Sequence, residues 1–314
     1  MRRFLGRLAG FVAVQALLVG PLAYAIVHRP PAGYLAASRL KHSRLERLAP
    51  PRILFVGGSA TAFGIDSPRI EQALGRPVVN LGLFLPLGLD LMLNEVKGEV
   101  RSGDIVVVSP EFSLFFTPPS VDARRRLVEV NPAALFWLPP KEARQFIDQA
   151  HKPLGAMARR EIARLLRGED AVPGDLPPYS LDSFNEQGDV VAHHTMASSR
   201  QETKRYVLGP PDDPGFRLQV ERLNRFHRLC VSRGARAFYS YPAVTREAAE
   251  AQRAAFDAVL ARLERSLEMP RLHDAGLMSF PASLFFDSAE HLNLEGKERR
   301  SGLLLERLRP LVER

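Results

Sequence analysis

The chain from residue 51 onward alternates short apolar runs with longer stretches in which apolar residues recur every three or four positions. The runs contain few polar residues, which is typical of strands covered by helices on both faces. Five runs fit this description, the last of them weakly: residues 53–56, 78–80, 105–109, 237–241 and 271–273. The alternation predicts an α/β domain, a three-layer sandwich with a central parallel sheet and right-handed crossovers.

This alternation stops between about residues 117 and 215. The segment is rich in proline turns such as "TPPS" and "GPPDDPG", and its one helical pattern covers residues 156–167. A long insertion within an α/β domain is more typical of a functional lid than of a free linker. We therefore predict one domain over residues 51–314 with a lid-like insertion at about 117–215.

The first 28 residues have a different pattern. Three arginines in "MRRFLGR" precede an uncharged apolar segment at residues 8–27. A helix of about 20 residues is about 30 Å long, enough to cross a bilayer. Basic residues before the span predict an inner-membrane anchor with the domain outside the cytoplasm. Ala23-Tyr24-Ala25 also fits a signal-peptide cleavage site, so a secreted or periplasmic product and a buried soluble helix stay open. Residues 29–50 are predicted to form a basic stalk or a first helix between this segment and the domain.

Composition and charge narrow the function classes. The hydrophobic fraction of 46% and the charged fraction of 25% are those of a folded protein. The net charge is +8, but the arginines alternate with acidic residues in stretches such as "REIARLLRGED". That pattern is typical of solvated helix faces rather than of a nucleic-acid groove. Cys230 is the only cysteine, so an intramolecular disulfide and a cysteine metal cluster are excluded.

The segment "ILFVGGSATAFG" places Ser59 at the carboxyl end of the first predicted strand, where open α/β sheets bind ligands. Gly57 and Gly58 tolerate the positive φ and close backbone approach of a tight turn. The free amides of a helix that begins there can stabilise an anion. The run lacks the lysine of a P-loop and the third glycine of a dinucleotide fingerprint, which disfavours nucleotide binding. A nucleophile and a helix-capping serine both stay open.

The other end of the chain supplies a candidate base. Asp287 and His291 lie four residues apart in "FFDSAEHLN", just before the last predicted helix. A serine nucleophile needs an imidazole to take its proton and a carboxylate to orient that imidazole. Ser59, His291 and Asp287 together predict acyl transfer, a reaction that requires no cofactor. His193-His194 near Asp189 lack a cysteine or an H-E-x-x-H helix, so we predict no metal.

With these segments in this order, the sequence resembles the SGNH/GDSL hydrolase superfamily. "FVGGSAT" resembles its nucleophile block, "VVNLGL" its second block and "FDSAEHLN" its acid–base block, and the likeness covers residues 51–116 and 234–314. It implies a flavodoxin-like fold with Ser59 as nucleophile, His291 as general base and Asp287 as the residue that orients it. It also implies that the amides of Ser59 and Gly82 bind the oxyanion.

The sequence departs from the superfamily pattern in three places. Gly-Gly-Ser replaces Gly-Asp-Ser, the acid-to-base spacing is one residue longer, and Pro110-Glu111 stands where an oxyanion-binding asparagine is expected. Loss of one such donor costs about 100- to 1000-fold in rate. A non-catalytic protein of the same fold, which binds or scaffolds polymer at the membrane, therefore stays open as the alternative. An α/β nucleotide-binding or regulatory protein of the cytoplasm is the third interpretation.

The same departures resemble a branch of exported, membrane-anchored O-acetyltransferases and esterases of exopolysaccharides and cell-wall polymers, including the alginate acetylation proteins. The likeness implies a polysaccharide or glycolipid substrate and a membrane protein that supplies the acyl group. It also implies that "DSFNEQGDVVAHH" approaches the active site, with Asn185, Asp189 and His193 on the substrate side.

Overall fold

The computed structural model describes residues 33–149, 176–199 and 208–313, together with residues 4, 6, 7, 10, 11, 13, 14, 17 and 155. The chain divides into two compact units, one of Met1–Ala32 with Pro140–Gly174 and one of Gly33–Pro139 with Asp175–Arg314. Most of the predicted span at residues 8–27 and all of the predicted helix at 156–167 lie outside the described residues. Within the described part, no helix combines the length and apolar character needed to cross a bilayer.

The second unit is built on a parallel sheet with the strand order β2-β1-β3-β4. The strands of the described residues are β1 (Ile53–Val56), β2 (Val78–Asn80), β3 (Ile105–Val108), β4 (Arg236–Tyr239), β5 (Val244–Thr245) and β6 (Ser279–Phe280). Every residue of β1, β2 and β3 is buried, which explains their continuous apolar sequence. Phe55 pairs with Asn80 on one side and Val107 on the other, so the carboxyl ends of these strands lie side by side.

Helices flank this sheet. In chain order they are α1 (Ala37–Arg47), α2 (Ser59–Gly64), α3 (Ser67–Leu74), α4 (Leu89–Lys97), α5 (Val121–Val130), α6 (Pro140–Asp148), α7 (Pro214–Ser232), α8 (Arg246–Ala251), α9 (Arg253–Ser266) and α10 (Leu294–Val312). α6 belongs to the first unit and the others to the second. α3 packs on α10, and α4 packs on α7. The predicted α/β class with a central parallel sheet is confirmed.

The fifth predicted strand does not join the sheet. Residues 271–273 contribute only a bridge between Arg271 and Tyr239 at the edge of β4. The Leu272 amide donates to Tyr239 O over 2.8 Å, and the Tyr239 amide donates to Pro270 O over 2.8 Å. Pairing ends there because the chain bends and enters a short 3₁₀ helix at Ala275. A separate two-residue pairing of β5 with β6 has no signal in the apolar pattern.

The segment predicted to be a stalk or a first helix contains α1, which packs into the second unit. α1 buries Ala37 and Leu45 and also two of its cations, Lys41 and Arg44. Lys41 Nζ donates to the carbonyls of Asn80 (3.1 Å), Gly82 and Gly188 (2.5 Å). Arg44 pairs with Glu71 over 2.7 Å. These two buried basic residues therefore bind backbone and carboxylate partners from distant parts of the chain.

Candidate active site

The turn between β1 and α2 carries Ser59. Neither Gly57 nor Gly58 has a positive φ, contrary to the expectation from the sequence, and Gly58 has φ −89° and ψ −150°. The glycines serve close packing instead. A Cβ on Gly57 would lie 2.5 Å from Ser109 O, and one on Gly58 would lie 2.6 Å from Glu111 Oε2. The start of α2 is thus pressed against the chain that follows β3.

Ser59, His291 and Asp287 lie together at the carboxyl end of β1. Ser59 Oγ is 2.9 Å from His291 Nε2, and His291 Nδ1 is 2.8 Å from Asp287 Oδ1. The longer spacing between acid and base fits a closed loop, since Phe286 N–H donates to His291 O over 2.8 Å and Phe285 bridges Leu292. This is the arrangement in which an imidazole can take a proton from a hydroxyl while a carboxylate orients it.

A stack of aromatic rings supports His291. Its imidazole lies on Phe63, with ring centroids 4.2 Å apart and an angle of 8° between the planes. His193 lies on Phe63 as well, 4.8 Å away, and is buried. Burial lowers the pKa of His193 to about 3, so it is neutral at physiological pH. The structure therefore places His193 in the layer packed around Phe63, and its substrate-side role stays a prediction.

Tyr179 is a member of this site that the sequence did not identify. Its hydroxyl donates to Asp287 Oδ2 and lies 3.4 Å from His291 Nδ1. Burial and then the bond to Asp287 raise the pKa of Tyr179, so it stays protonated and donates. Burial alone would raise the pKa of Asp287, but hydrogen bonds from His291 and Tyr179 hold it below its usual value. Tyr179 belongs to the insertion, where "PPYS" indicates only a turn.

Asn185 and Asp189 lie in a turn whose side chains are bonded to other residues of the second unit. Asp189 is completely buried and accepts from Ser67 N (2.8 Å), Ser67 Oγ (2.6 Å), Asn80 Nδ2 (2.8 Å) and Asn185 Nδ2 (3.1 Å). Asn185 Oδ1 accepts from the amides of Gly188 (2.9 Å) and Asp189 (2.8 Å). Their side chains thus bind groups of the protein itself, and the substrate-side role of both residues stays a prediction.

The predicted oxyanion donors have different surroundings. The Gly82 amide donates to Asn80 Oδ1 over 2.9 Å, so its hydrogen is committed within the protein. Gly82 instead permits close packing, because a Cβ there would lie 2.6 Å from Ala62 N. The Ser59 amide has no acceptor in residues 33–149, 176–199 and 208–313. Of the two predicted donors, only Ser59 presents a free N–H in this structure.

Glu111 stands where the sequence departs from the expected asparagine. Its carboxylate is completely buried and accepts from the amides of Gly58 (3.1 Å) and Ala60 (2.8 Å), on either side of Ser59. Burial raises the pKa of Glu111, while the bonds from the Ala60 and Gly58 amides oppose that shift. The sequence indicates that Glu111 stands where a donor is expected, but it contains no signal for these acceptor bonds.

The described residues hold no group of three or more His, Cys, Asp or Glu side chains that could bind a metal ion. No family model, curated protein or solved structure matches the chain. The case for function therefore depends on the chemistry of the site. Ser59 Oγ has the imidazole of His291 within hydrogen-bond distance as a base, and Asp287 orients that imidazole. The Ser59 amide is available to an oxyanion.

Proposed function

We propose that this protein is a serine-dependent acyltransferase or esterase of the SGNH type. The observation that carries the proposal is the series of short contacts from Ser59 Oγ to His291 Nε2 (2.9 Å) and from His291 Nδ1 to Asp287 Oδ1 (2.8 Å). In SGNH terms, the parallel sheet and its flanking helices would form the three-layer, flavodoxin-like sandwich. The site would then lie at the carboxyl ends of the strands, where such sheets bind ligands.

The reaction follows from these contacts. Ser59 Oγ attacks the acyl carbonyl carbon while His291 Nε2 takes its proton, and Asp287 stabilises the imidazolium that forms. The Ser59 amide donates to the oxyanion of the tetrahedral intermediate. As the intermediate collapses, His291 returns the proton to the leaving oxygen, and the acyl group remains on Ser59. Water or an acceptor hydroxyl then gives its proton to His291 and attacks this ester, and His291 passes that proton to Ser59 Oγ as the free acid or the acylated acceptor leaves.

We further propose that the reaction takes place outside the cytoplasm on a polysaccharide or glycolipid. The basic start and the apolar pattern of residues 8–27 support export, either as a membrane anchor or as a cleaved signal. A membrane protein would supply the acyl group in the transferase case. A reporter enzyme active only in the periplasm, fused after residue 314, tests this part: an inactive fusion would contradict export.

The chemistry itself is tested by labelling with a fluorophosphonate, which reacts with activated serines. We expect labelling of the full chain and its loss in Ser59→Ala. Ser240→Ala is the matched control, because Ser240 Oγ also contacts a histidine, His273 Nε2, at 2.9 Å but is completely buried. An unlabelled wild-type protein, or equal labelling of Ser59→Ala, would contradict the proposed nucleophile.

A second candidate function is a non-catalytic, polymer-binding protein of the same fold. It is favoured because three amides near the site already have acceptors. The Gly58 and Ala60 amides donate to Glu111, and the Gly82 amide donates to Asn80. This alternative predicts no labelling of Ser59 by the fluorophosphonate. It also predicts that wild type and Ser59→Ala retain purified acidic exopolysaccharide equally well on a column.

A further inference from the structure

The Glu111 carboxylate binds both neighbours of Ser59. Glu111 follows β3 by three residues and is completely buried. Its Oε2 accepts from the Gly58 amide over 3.1 Å, and its Oε1 accepts from the Ala60 amide over 2.8 Å. One side chain thus fixes two peptide planes that flank the nucleophile in sequence. The Ser59 amide between them stays unbound within the described residues.

A buried arginine also binds this turn, through a backbone carbonyl. Arg300, on α10, donates from Nη1 to Ala60 O over 3.1 Å and from Nη2 to Ser109 Oγ over 2.7 Å. Burial lowers the pKa of Arg300 to about 10, which leaves it charged at neutral pH. The Ala60 N–H therefore donates to a carboxylate, and the Ala60 carbonyl accepts from a guanidinium. These charge-assisted bonds are stronger than neutral ones and fix direction as well as distance.

We propose that Glu111 is a positioning residue for Ser59: its carboxylate orients the turn so that Ser59 presents Oγ to His291 and its N–H to the oxyanion. This inference rests on the proposed function. Glu111 does not touch the reacting atoms. It acts through the peptide groups of Gly58 and Ala60, and the loss of its two bonds allows the turn to rotate.

The same geometry explains why residue 58 is a glycine. The φ of Gly58, −89°, does not by itself require glycine. The space around Gly58 does not admit a side chain, because a Cβ there would lie 2.6 Å from Glu111 Oε2. Alanine at position 58 therefore competes with Glu111 and is tolerated only once Glu111 is shortened. The two positions are expected to be energetically coupled.

The test measures the second-order rate of Ser59 labelling by a fluorophosphonate, and kcat and KM on p-nitrophenyl acetate, in the full chain. Glu111→Gln keeps the side-chain volume but turns an NH₂ group toward one of the two amides. We expect labelling and kcat to fall about 10- to 100-fold, as for a misplaced catalytic group, with KM nearly unchanged.

The matched control is Asp104→Asn. Asp104 is also completely buried and accepts from two backbone amides, those of Arg52 and Arg101, each at 2.9 Å. It precedes β3, whereas Glu111 follows it, so the two acids lie at opposite ends of one strand. Asp104→Asn should lower the free energy of unfolding without slowing the labelling of folded protein.

The coupling of positions 58 and 111 gives a second readout. Gly58→Ala should lower both stability and labelling, and Gly58→Ala with Glu111→Ala should recover stability relative to Gly58→Ala alone. If Glu111→Gln does not fold, Glu111→Asp, which keeps the charge, takes its place. Labelling of the Glu111 variant at the wild-type rate would overturn the positioning role and leave the proposed function standing. An unlabelled wild type would overturn both.

Discussion

Replacing Tyr179 with phenylalanine removes a single hydroxyl from the acid end of the site. That hydroxyl donates to Asp287 Oδ2, whereas the bond to His291 Nδ1 is made by the other oxygen, Oδ1, at 2.8 Å. The ring keeps its contacts with Tyr34 and Phe63, both at centroid distances of 5.8 Å. Tyr179→Phe therefore isolates the contribution of one donor to the carboxylate that orients the base.

The magnitude follows from the charge and exposure of Asp287. A hydrogen bond to a charged group contributes about 1.5–3 kcal/mol. The Asp287 side chain is 18% exposed, so water replaces part of the lost bond. We expect about 1–1.4 kcal/mol to be lost from transition-state stabilisation, which corresponds to a fall in kcat/KM of about 5- to 10-fold. Because Tyr179 helps to hold the pKa of Asp287 down, its removal also shifts the acid-side loss of activity to higher pH.

The assay compares kcat/KM on p-nitrophenyl acetate, from acid to neutral pH, for wild type, Tyr179→Phe and Tyr241→Phe. Tyr241 is the control because its hydroxyl also donates to a carboxylate, Glu264 Oε1, at 3.1 Å. It is buried and makes no contact with Asp287 or His291 among the described residues. Identical profiles for Tyr179→Phe and Tyr241→Phe would refute the role assigned to the Tyr179 hydroxyl.

Three further predictions concern the surroundings of the site. Asp189→Asn should lower the free energy of unfolding in urea by about 3 kcal/mol, since an amide replaces one acceptor of Ser67; slower Ser59 labelling at unchanged stability would instead favour a substrate contact. Burial raises the pKa of Glu95 from 4.5 to about 8, so the contribution of Glu95 to stability should fall as pH rises from 4.5 to 8. The stability of wild type relative to Glu95→Gln should fall over that range, and a constant difference would contradict the assignment. Gly82→Ala should cost about 1–3 kcal/mol, because its Cβ would meet Ala62 N at 2.6 Å; wild-type stability in the same denaturation would rule out this clash.

The strands nearest Ser59 could be predicted because each one is marked by a continuous apolar run in its own sequence. The runs at residues 53–56 and 78–80 match β1 and β2, and β3 ends at Val108, one residue before the run does. These strands are buried on both faces, so few polar residues interrupt them. α1 could not be assigned to the domain in this way. The burial of Lys41 depends on carbonyls at Asn80 and Gly188, which lie 39 and 147 positions away.

The site shows the same division between local and distant signals. Ser59 after a Gly-Gly turn, and Asp287 with His291 before the last helix, are recognisable because each depends on its own segment. Glu111 and Tyr179 are not, since their partners lie 51 to 53 and 108 positions away. Asn185 and Asp189 show the opposite case, because a polar turn in an insertion resembles a binding loop and the bonds from Ser67 and Asn80 to Asp189 have no signal in the sequence. A substrate-side role for the two residues stays a prediction.

Near Ser59, buried charges bind backbone groups of the loops that follow the strands. Glu111 binds amides after β1, and Arg300 binds the Ala60 carbonyl. Lys41 binds the carbonyls of Asn80, the last residue of β2, and of Gly82 after it. A bond from a charged side chain to a peptide group orients the whole peptide plane, and peptide N–H groups are the donors that an oxyanion requires. The direction of the Ser59 N–H, the predicted donor that stays free among the described residues, therefore depends on residues of α10 and of the chain after β3. We infer that the site is pre-organised from outside its own loops, which is why substitutions at Glu111 should alter rate more than substrate binding.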